Sequence, residues 1–236
     1  MEFVRADVGV AVQLADGGML PIRYIIGIGR NYAEHAAEQG AELPERPMVF
    51  VKSPASACLS GDEIVVPKVA QEPEQVDFEA ELVVVLGDSI RDATPERAMQ
   101  AVLGYCCGND VSARWWQKQG SGGQFCRGKS FDTFCPLGPM LTPADRVDDP
   151  QSLRVVCRVN GETMQDGTTA DMIFPVGELL SELSRGATLP AGTAVLTGTP
   201  SGVGMARTPP VYLKNGDRVE VEIEGLGILG NEVRFE

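Results

Sequence analysis

Three acids spaced two apart, Asp77, Glu79 and Glu81, stand in an otherwise apolar stretch running from Val76 to Gly87. The composition is that of a strand, and on a strand side chains two apart share a face. Asp77, Glu79 and Glu81 therefore point one way, and Val76, Phe78, Ala80 and Leu82 the other. The acid face continues as Val83 and Val85. Carboxylates on a face that turns apolar repel one another and resist burial, and a cation resolves both conflicts. Oxygen-only donors favour a hard cation, Mg²⁺, Mn²⁺ or Ca²⁺. The alternative for this segment alone is a solvated face at a sheet edge. A further acid, Asp110, closes the apolar run Leu103 to Cys107 in Gly108-Asn109-Asp110. Strand ends commonly carry ligand groups, and the alternative is a cap for a helix over 111–118.

The chain has one histidine, His35, with Glu38 three residues on. On a helix the two share a face. A carboxylate beside an imidazole fixes its tautomer and raises its basicity, the arrangement of a general base. A surface His–Glu pair is the alternative. Lys52 follows the apolar Met48 to Val51, as an inward-facing cation at a strand end would. Lys129 lies in Arg127-Gly128-Lys129-Ser130, where glycine lets a backbone approach a ligand. Gln117, Lys118 and Gln119 follow Trp115-Trp116, a pair that suits a lid or a subunit contact. Thr197-Gly198-Thr199-Pro200 can present N–H groups and hydroxyls to an anion. Neither Gly27-Ile28-Gly29-Arg30 nor Leu196 to Gly204 carries a nucleotide-binding pattern.

These residues need short strands to hold them. The 27 Gly and 16 Pro are spread along the chain, which implies many turns. Residues 1–24 read as a hairpin segment turning at Asp16-Gly17, ahead of a catalytic domain over 25–236. Residues 31–39 read as a helix with Asn31 as N-cap and Gly40 as stop. Strands are expected at Met48–Val51, Glu63–Val66, Phe78–Leu86, Leu153–Val159, Ala194–Thr197 and Arg218–Ile223. Helices are expected at Pro95–Leu103 and Pro175–Ser184, and turns at Asn160-Gly161 and Asn215-Gly216. The fold class is strand-rich α+β.

A net charge of −13 repels phosphate backbones and anionic lipid, so nucleic acid and membrane are not expected partners. No apolar segment approaches the roughly 20 residues that span a bilayer. The six cysteines form no C-x-x-C pair, and without an export signal they read as reduced thiols in the cytoplasm.

Six segments together resemble the fumarylacetoacetate hydrolase family and stand in its order. They are Gly29-Arg30-Asn31-Tyr32-x-x-His35-x-x-Glu38; Phe50-Val51-Lys52; Val76 to Leu82; Asn109 to Arg114; Gly128 to Asp132; and Leu196 to Gly204. The resemblance runs from about Ile25 to Val233. It implies a mixed β-roll, a homodimer, and Mg²⁺ or Mn²⁺ on Glu79, Glu81 and Asp110. It implies His35 and Glu38 as the base pair, on a segment that orders with substrate, and Lys129 as a catalytic contact to a 2-oxo acid. Arg30, Tyr32, Lys52, Arg114, Gln117 and Thr199 are the implied substrate-binding positions. Asp77 matches the family without having to be a ligand.

The compact branch of this family holds acylpyruvate hydrolases, oxaloacetate decarboxylases and isomerases of aromatic catabolism. Hydrolysis of a carbon–carbon bond in a small acylpyruvate is the first expectation. Decarboxylation or isomerisation on the same site is the second. Outside catalysis, the chain could be a metal- and oxo-acid-binding protein, or an unrelated calcium-bearing carbohydrate module. Loops 39–47 and 115–128 are expected to set substrate preference.

Overall fold

The structure, a computed structural model, describes residues 1–38, 40 and 42–236. Its central sheet orders seven strands as Met48–Lys52, Tyr24–Gly29, Thr193–Leu196, Ala80–Leu86, Val102–Asn109, Cys135–Pro143 and Ala57–Leu59. Tyr24–Gly29 and Thr193–Leu196 run parallel, as do Cys135–Pro143 and Ala57–Leu59; the other pairs are antiparallel. A second sheet orders Glu162–Thr168, Arg154–Val159, Arg218–Ile223, Gly227–Phe235 and Glu63–Val66. Glu2–Arg5, Val10–Gln13 and Met19–Pro21 form a third. This is the strand-rich α+β roll expected. No helix among the described residues is long and apolar enough to cross a membrane.

Ala80–Leu86 lies in the middle of the large sheet, and every one of its residues is buried. Leu82, Val84 and Leu86 join a core with Val155, Cys157, Val219 and Val221 of the second sheet. Val83 and Val85 pack on the other side with Phe3, Val10, Val12 and Ile22. Burial on both faces explains the unbroken apolar run, each such side chain contributing about 1.5–3 kcal/mol. It rules out the solvated edge.

The strand differs from its expected form at its start. Phe78 and Glu79 interrupt it: Val76–Asp77 pairs with Ser112–Ala113, and the main strand begins at Ala80. Three acids on one continuous face are thereby reduced to two, with Asp77 turned elsewhere. The first hairpin turns where expected, Gly17 (φ +84°) donating to the Leu14 carbonyl at 3.0 Å. The following apolar run leaves the small sheet, because Ile25 and Ile26 are buried inside the large one.

The short helix spans Ala33–Glu38, and Gly40 (φ +64°) donates to the Ala37 carbonyl at 2.9 Å as its stop. Gln39, the last residue of the expected helix, lies outside the described residues, as does Ala41 of the expected specificity loop. Asn31 is not the N-cap. Its side chain bonds the Phe174 N–H (2.8 Å) and carbonyl (3.1 Å) and the Thr197 carbonyl (2.8 Å). The helix Pro95–Gln100, capped by Thr94, ends before Leu103 because Val102 already pairs with Leu86. The segment 115–128, read as a loop, holds helices Arg114–Lys118 and Phe125–Gly128.

All six thiols are free, and only Cys126 is partly exposed. Burial pushes the Cys107 and Cys135 thiols up to about 12, and raises those of Cys58, Cys106 and Cys157 as well. Iodoacetamide at pH 8 is expected to label Cys126 alone in the folded protein. Peptide mapping that finds a second labelled thiol before unfolding would contradict this packing.

Candidate active site

Glu79, Glu81 and Asp110 converge, each offering an oxygen within 4.8 Å of the others, and all three are buried. The backbone draws them together: the Asp110 N–H donates to the Glu79 carbonyl at 2.9 Å, and the Glu79 N–H to the Asn109 side chain at 3.1 Å. Asp110 therefore does not cap a helix. Glu81 accepts from the Gly198 N–H at 2.7 Å, so the anion met by the Thr-Gly-Thr-Pro loop is a protein carboxylate. Gly198 needs its glycine: φ is +102°, and a Cβ would stand 2.7 Å from that of Asn31.

Three cations crowd the acids. Lys129 donates to Glu79 (2.9 Å), Asp110 (2.5 Å) and the Ser112 hydroxyl (2.7 Å). Lys52 donates to Asp110 at 2.5 Å, as the inward-facing cation expected. Arg114 pairs with Asp77 at 2.7 Å and Glu79 at 2.6 Å. Burial works to raise Glu79, but Lys129 and Arg114 outweigh it and hold the carboxyl well below its ordinary range. Burial works to lower Lys129, and Asp110 and Glu79 outweigh it upward. Glu81 is the exception. Burial pushes it well above the carboxylate range, the charges of Asp110 and Glu79 add to this, and the Gly198 N–H offsets only part. Ionising Glu81 thus creates a negative charge that the cluster's own cations leave uncompensated. With only oxygen donors, a hard divalent cation fits it.

His35 is buried, and its Nδ1 lies 2.6 Å from Glu38. The other Glu38 oxygen accepts from the Gly202 N–H at 2.8 Å, and Glu34 accepts from the Ser201 hydroxyl at 3.1 Å. The helix is thereby fastened to the loop that also reaches Glu81. This is not a surface pair.

One cavity of about 20 Å³ is lined by Arg30, His35, Glu79, Glu81, Gln117, Lys129 and Thr199, with Phe50 and Phe125 as apolar walls. Lys52, Asp110 and Arg114 lie behind this lining, holding the acids. Glu38 reaches the cavity through His35. Tyr32 is buried away from it, beside a groove of about 550 Å³ lined by Glu34, Asp166 and Asp171. Two of the lining groups are already committed. Each N–H of Lys129 has a protein acceptor, and the Thr199 hydroxyl donates to the Ala80 carbonyl at 2.8 Å. Gln117 accepts from Arg114 at 3.0 Å, leaving its amide N–H groups for a ligand. Gly128 serves a different approach from the one expected. A Cβ there would stand 2.5 Å from the Gln117 backbone nitrogen, so it packs two helices rather than a ligand.

The family model for the fumarylacetoacetate hydrolase C-terminal region matches residues 24–234. The chain belongs to the fumarylacetoacetate hydrolase family. It is 45% identical over 209 residues to human mitochondrial oxaloacetate tautomerase FAHD2A, covering 89% of this chain and 66% of that protein. The chain thus spans just under two thirds of that relative's length. It is also 45% identical to oxaloacetate tautomerase YisK of Bacillus subtilis, covering 90% and 70%. Among solved structures, a fumarylacetoacetate hydrolase from Exiguobacterium antarcticum superposes with a TM-score of 0.83 at 41% identity, covering 99% and 80%. A 2-hydroxyhepta-2,4-diene-1,7-dioate isomerase from Mycobacterium marinum gives 0.79 at 33%, covering 96% and 78%. The relatives are enzymes, and their names span tautomerase, hydrolase and isomerase.

Around this site, one supporting residue escaped the sequence, and one acid marked by its spacing takes a structural place instead of joining the cluster. Gln165, buried in the second sheet, accepts from the Ala80 N–H (2.9 Å) and donates to the Thr199 hydroxyl (2.7 Å) and the Pro200 carbonyl (2.8 Å). It ties the carboxylate strand to the Thr-Gly-Thr-Pro loop, and no spacing marks it. Asp77 is a clamp: it accepts from the N–H groups of Phe78 (2.9 Å), Gly204 (2.8 Å) and Met205 (3.0 Å), and from Arg114 (2.8 Å). Asp77→Ala strands two loop N–H groups and a buried guanidinium. It is expected to cost about 3–5 kcal/mol, the scale for breaking a buried pair. Calorimetry should show Tm lower by about 6–20 °C; an unchanged Tm would remove the clamp.

Proposed function

We propose that the chain moves a proton at the carbon beside the oxo group of a small 2-oxo acid, interconverting keto and enol forms of an oxaloacetate-type substrate. The observation that carries this reading is that His35, backed by Glu38, shares one small cavity with Glu79 and Glu81. The names of the human and Bacillus relatives agree with it.

A divalent cation held by Glu79, Glu81 and Asp110 would supply Lewis acidity toward the oxo oxygen. The side chains do the rest. Glu38 holds Nδ1 of His35, so Nε2 carries the lone pair that takes the proton from carbon. The imidazolium so formed is stabilised by the same carboxylate, and the proton is returned to oxygen. Gln117 donates to the substrate, and Lys129 holds Glu79 and Asp110 in place. Phe50 and Phe125 form apolar walls that limit the space open to water. A cavity of about 20 Å³ has room for about one water. A four-carbon acid therefore needs the helix Ala33–Glu38 to lift, breaking the Glu38–Gly202 and Glu34–Ser201 bonds.

Hydrolysis of an acylpyruvate is the second reading, favoured by that water-sized space beside the base. His35 would take a proton from water as its oxygen adds to the distal carbonyl. The carbon–carbon bond then breaks, its electron pair passing to the oxo-acid carbon, which is protonated. A panel of oxaloacetate, acetylpyruvate and fumarylpyruvate separates the readings. Enol absorbance at equilibrium reached faster with oxaloacetate, without pyruvate release, supports tautomerisation. Pyruvate from the acylpyruvates alone would replace it with hydrolysis.

A further inference from the structure

The cavity carries one cation that this mechanism does not use. Arg30 lines it together with His35, Glu79 and Lys129, and is half-buried. Among the described residues its guanidinium has no hydrogen-bond or ion-pair partner, whereas Arg114 is held by Asp77 and Glu79. Its backbone stands at φ +55°. That left-handed region turns the chain from strand Tyr24–Gly29 into helix Ala33–Glu38, and glycine would occupy it without strain. A long charged side chain sits where the backbone favours none, and such strain gathers at functional positions.

Charge gives the side chain a task. In the cavity lining and behind it, four buried carboxylates, Asp77, Glu79, Glu81 and Asp110, stand with three buried cations, Lys52, Arg114 and Lys129. A divalent ion on the acids leaves a surplus that one substrate carboxylate, the one beside the oxo group, neutralises. A second carboxylate in so closed a space has no counter-charge in that set. The cavity lining offers one in Arg30. Lys118, next to Gln117, is pushed down by burial and then by the Arg114 and Arg30 guanidiniums, with Asp77 offsetting part. The Arg30 charge is therefore felt beside Gln117, within a chain of net charge −13.

We propose that Arg30 binds a second carboxylate on the substrate, so that the site selects dicarboxylic 2-oxo acids over monocarboxylic ones. This rests on the 2-oxo acid reading and adds the group that recognises the far end of the molecule. A planar guanidinium suits the task because it meets a carboxylate through two parallel N–H···O bonds.

The test compares 3,3-difluorooxaloacetate with its 4-methyl ester. Neither can enolise, and they differ by one charge. Binding to the Mg²⁺-loaded protein is followed by the fluorescence of Trp115 and Trp116. The wild type should bind the diacid on the order of tenfold to a hundredfold more tightly than the ester. R30G should bring that ratio to about one while leaving ester and Mg²⁺ affinities unchanged. Its Tm should hold, because glycine suits the left-handed backbone. R30K should keep part of the preference, having the charge without the fork. A ratio that survives R30G, or a wild type that binds both probes equally, overturns the role of Arg30 and leaves the oxo-acid site standing. A wild type that binds neither probe, with Mg²⁺ bound, overturns both.

Discussion

Glu81→Gln is expected to abolish binding of divalent cations and turnover together, while the protein stays folded. Glu81 is the acid of the cluster with the least compensation: Glu79 has Lys129 and Arg114, Asp110 has Lys52 and Lys129, and Glu81 has a backbone N–H. A glutamine keeps the size and can still accept from Gly198. It removes the charge a cation needs. Loss of a mere outer partner costs a metal site about 10–100-fold in affinity, so loss of this ligand should exceed that. Stability should move the other way. Burial raises the folded carboxyl, so below the unfolded pKa of about 4.3 both states hold the proton and nothing is lost. As pH rises from there toward the raised folded value, the unfolded state ionises first and stability falls. The metal-free variant lacks this loss, so its advantage over wild type should grow with pH across that window. Calorimetric titration with Mg²⁺ and thermal scans at several pH values read both effects. A variant that binds Mg²⁺ as tightly as wild type would remove Glu81 from the site.

His35→Ala should lower turnover by about 10²–10⁴-fold, the scale of general acid–base catalysis, and leave Mg²⁺ affinity within a factor of a few. The two effects separate because the proposed cation donors are Glu79, Glu81 and Asp110, and the histidine's Nδ1 is engaged with Glu38. The lone histidine has no substitute in the sequence. Glu38→Gln should show a smaller loss, since the imidazole remains but its charged form loses support. Loss of Mg²⁺ binding in His35→Ala would make the histidine a ligand or a structural support instead.

The acid cluster, the His35–Glu38 pair and the strand-rich class were legible because they depend on residue type and short spacing. Glu79 and Glu81 alternate on a strand, and His35 and Glu38 sit one helical turn apart; both patterns survive folding. Asp77 obeyed the same alternation and left the cluster, since a break at Phe78 and Glu79 is set by pairing with Ser112–Ala113, a long-range contact. Asn31 has the composition of a helix cap, yet three backbone partners far along the chain claim its side chain. Gln165 contributes through contacts with Ala80, Thr199 and Pro200, none near it in sequence. Lys129 lines the cavity, and its N–H groups meet Glu79, Asp110 and Ser112, partners that no local spacing marks. Tyr32 follows Asn31 in the same motif, but it lines a neighbouring groove instead of the cavity. Local periodicity names candidates; tertiary hydrogen bonds decide which of them share a site.

The measurement closest to the central claim follows hydrogen–deuterium exchange at carbon 3 of oxaloacetate in D₂O by NMR. Chelator-stripped protein is assayed with and without added Mg²⁺, using Glu81→Gln under identical conditions as the background. Exchange well above that background is expected only when Mg²⁺ and His35 are both present. Exchange equal to the Glu81→Gln background in every condition, with the wild type folded and Mg²⁺ bound, would contradict it.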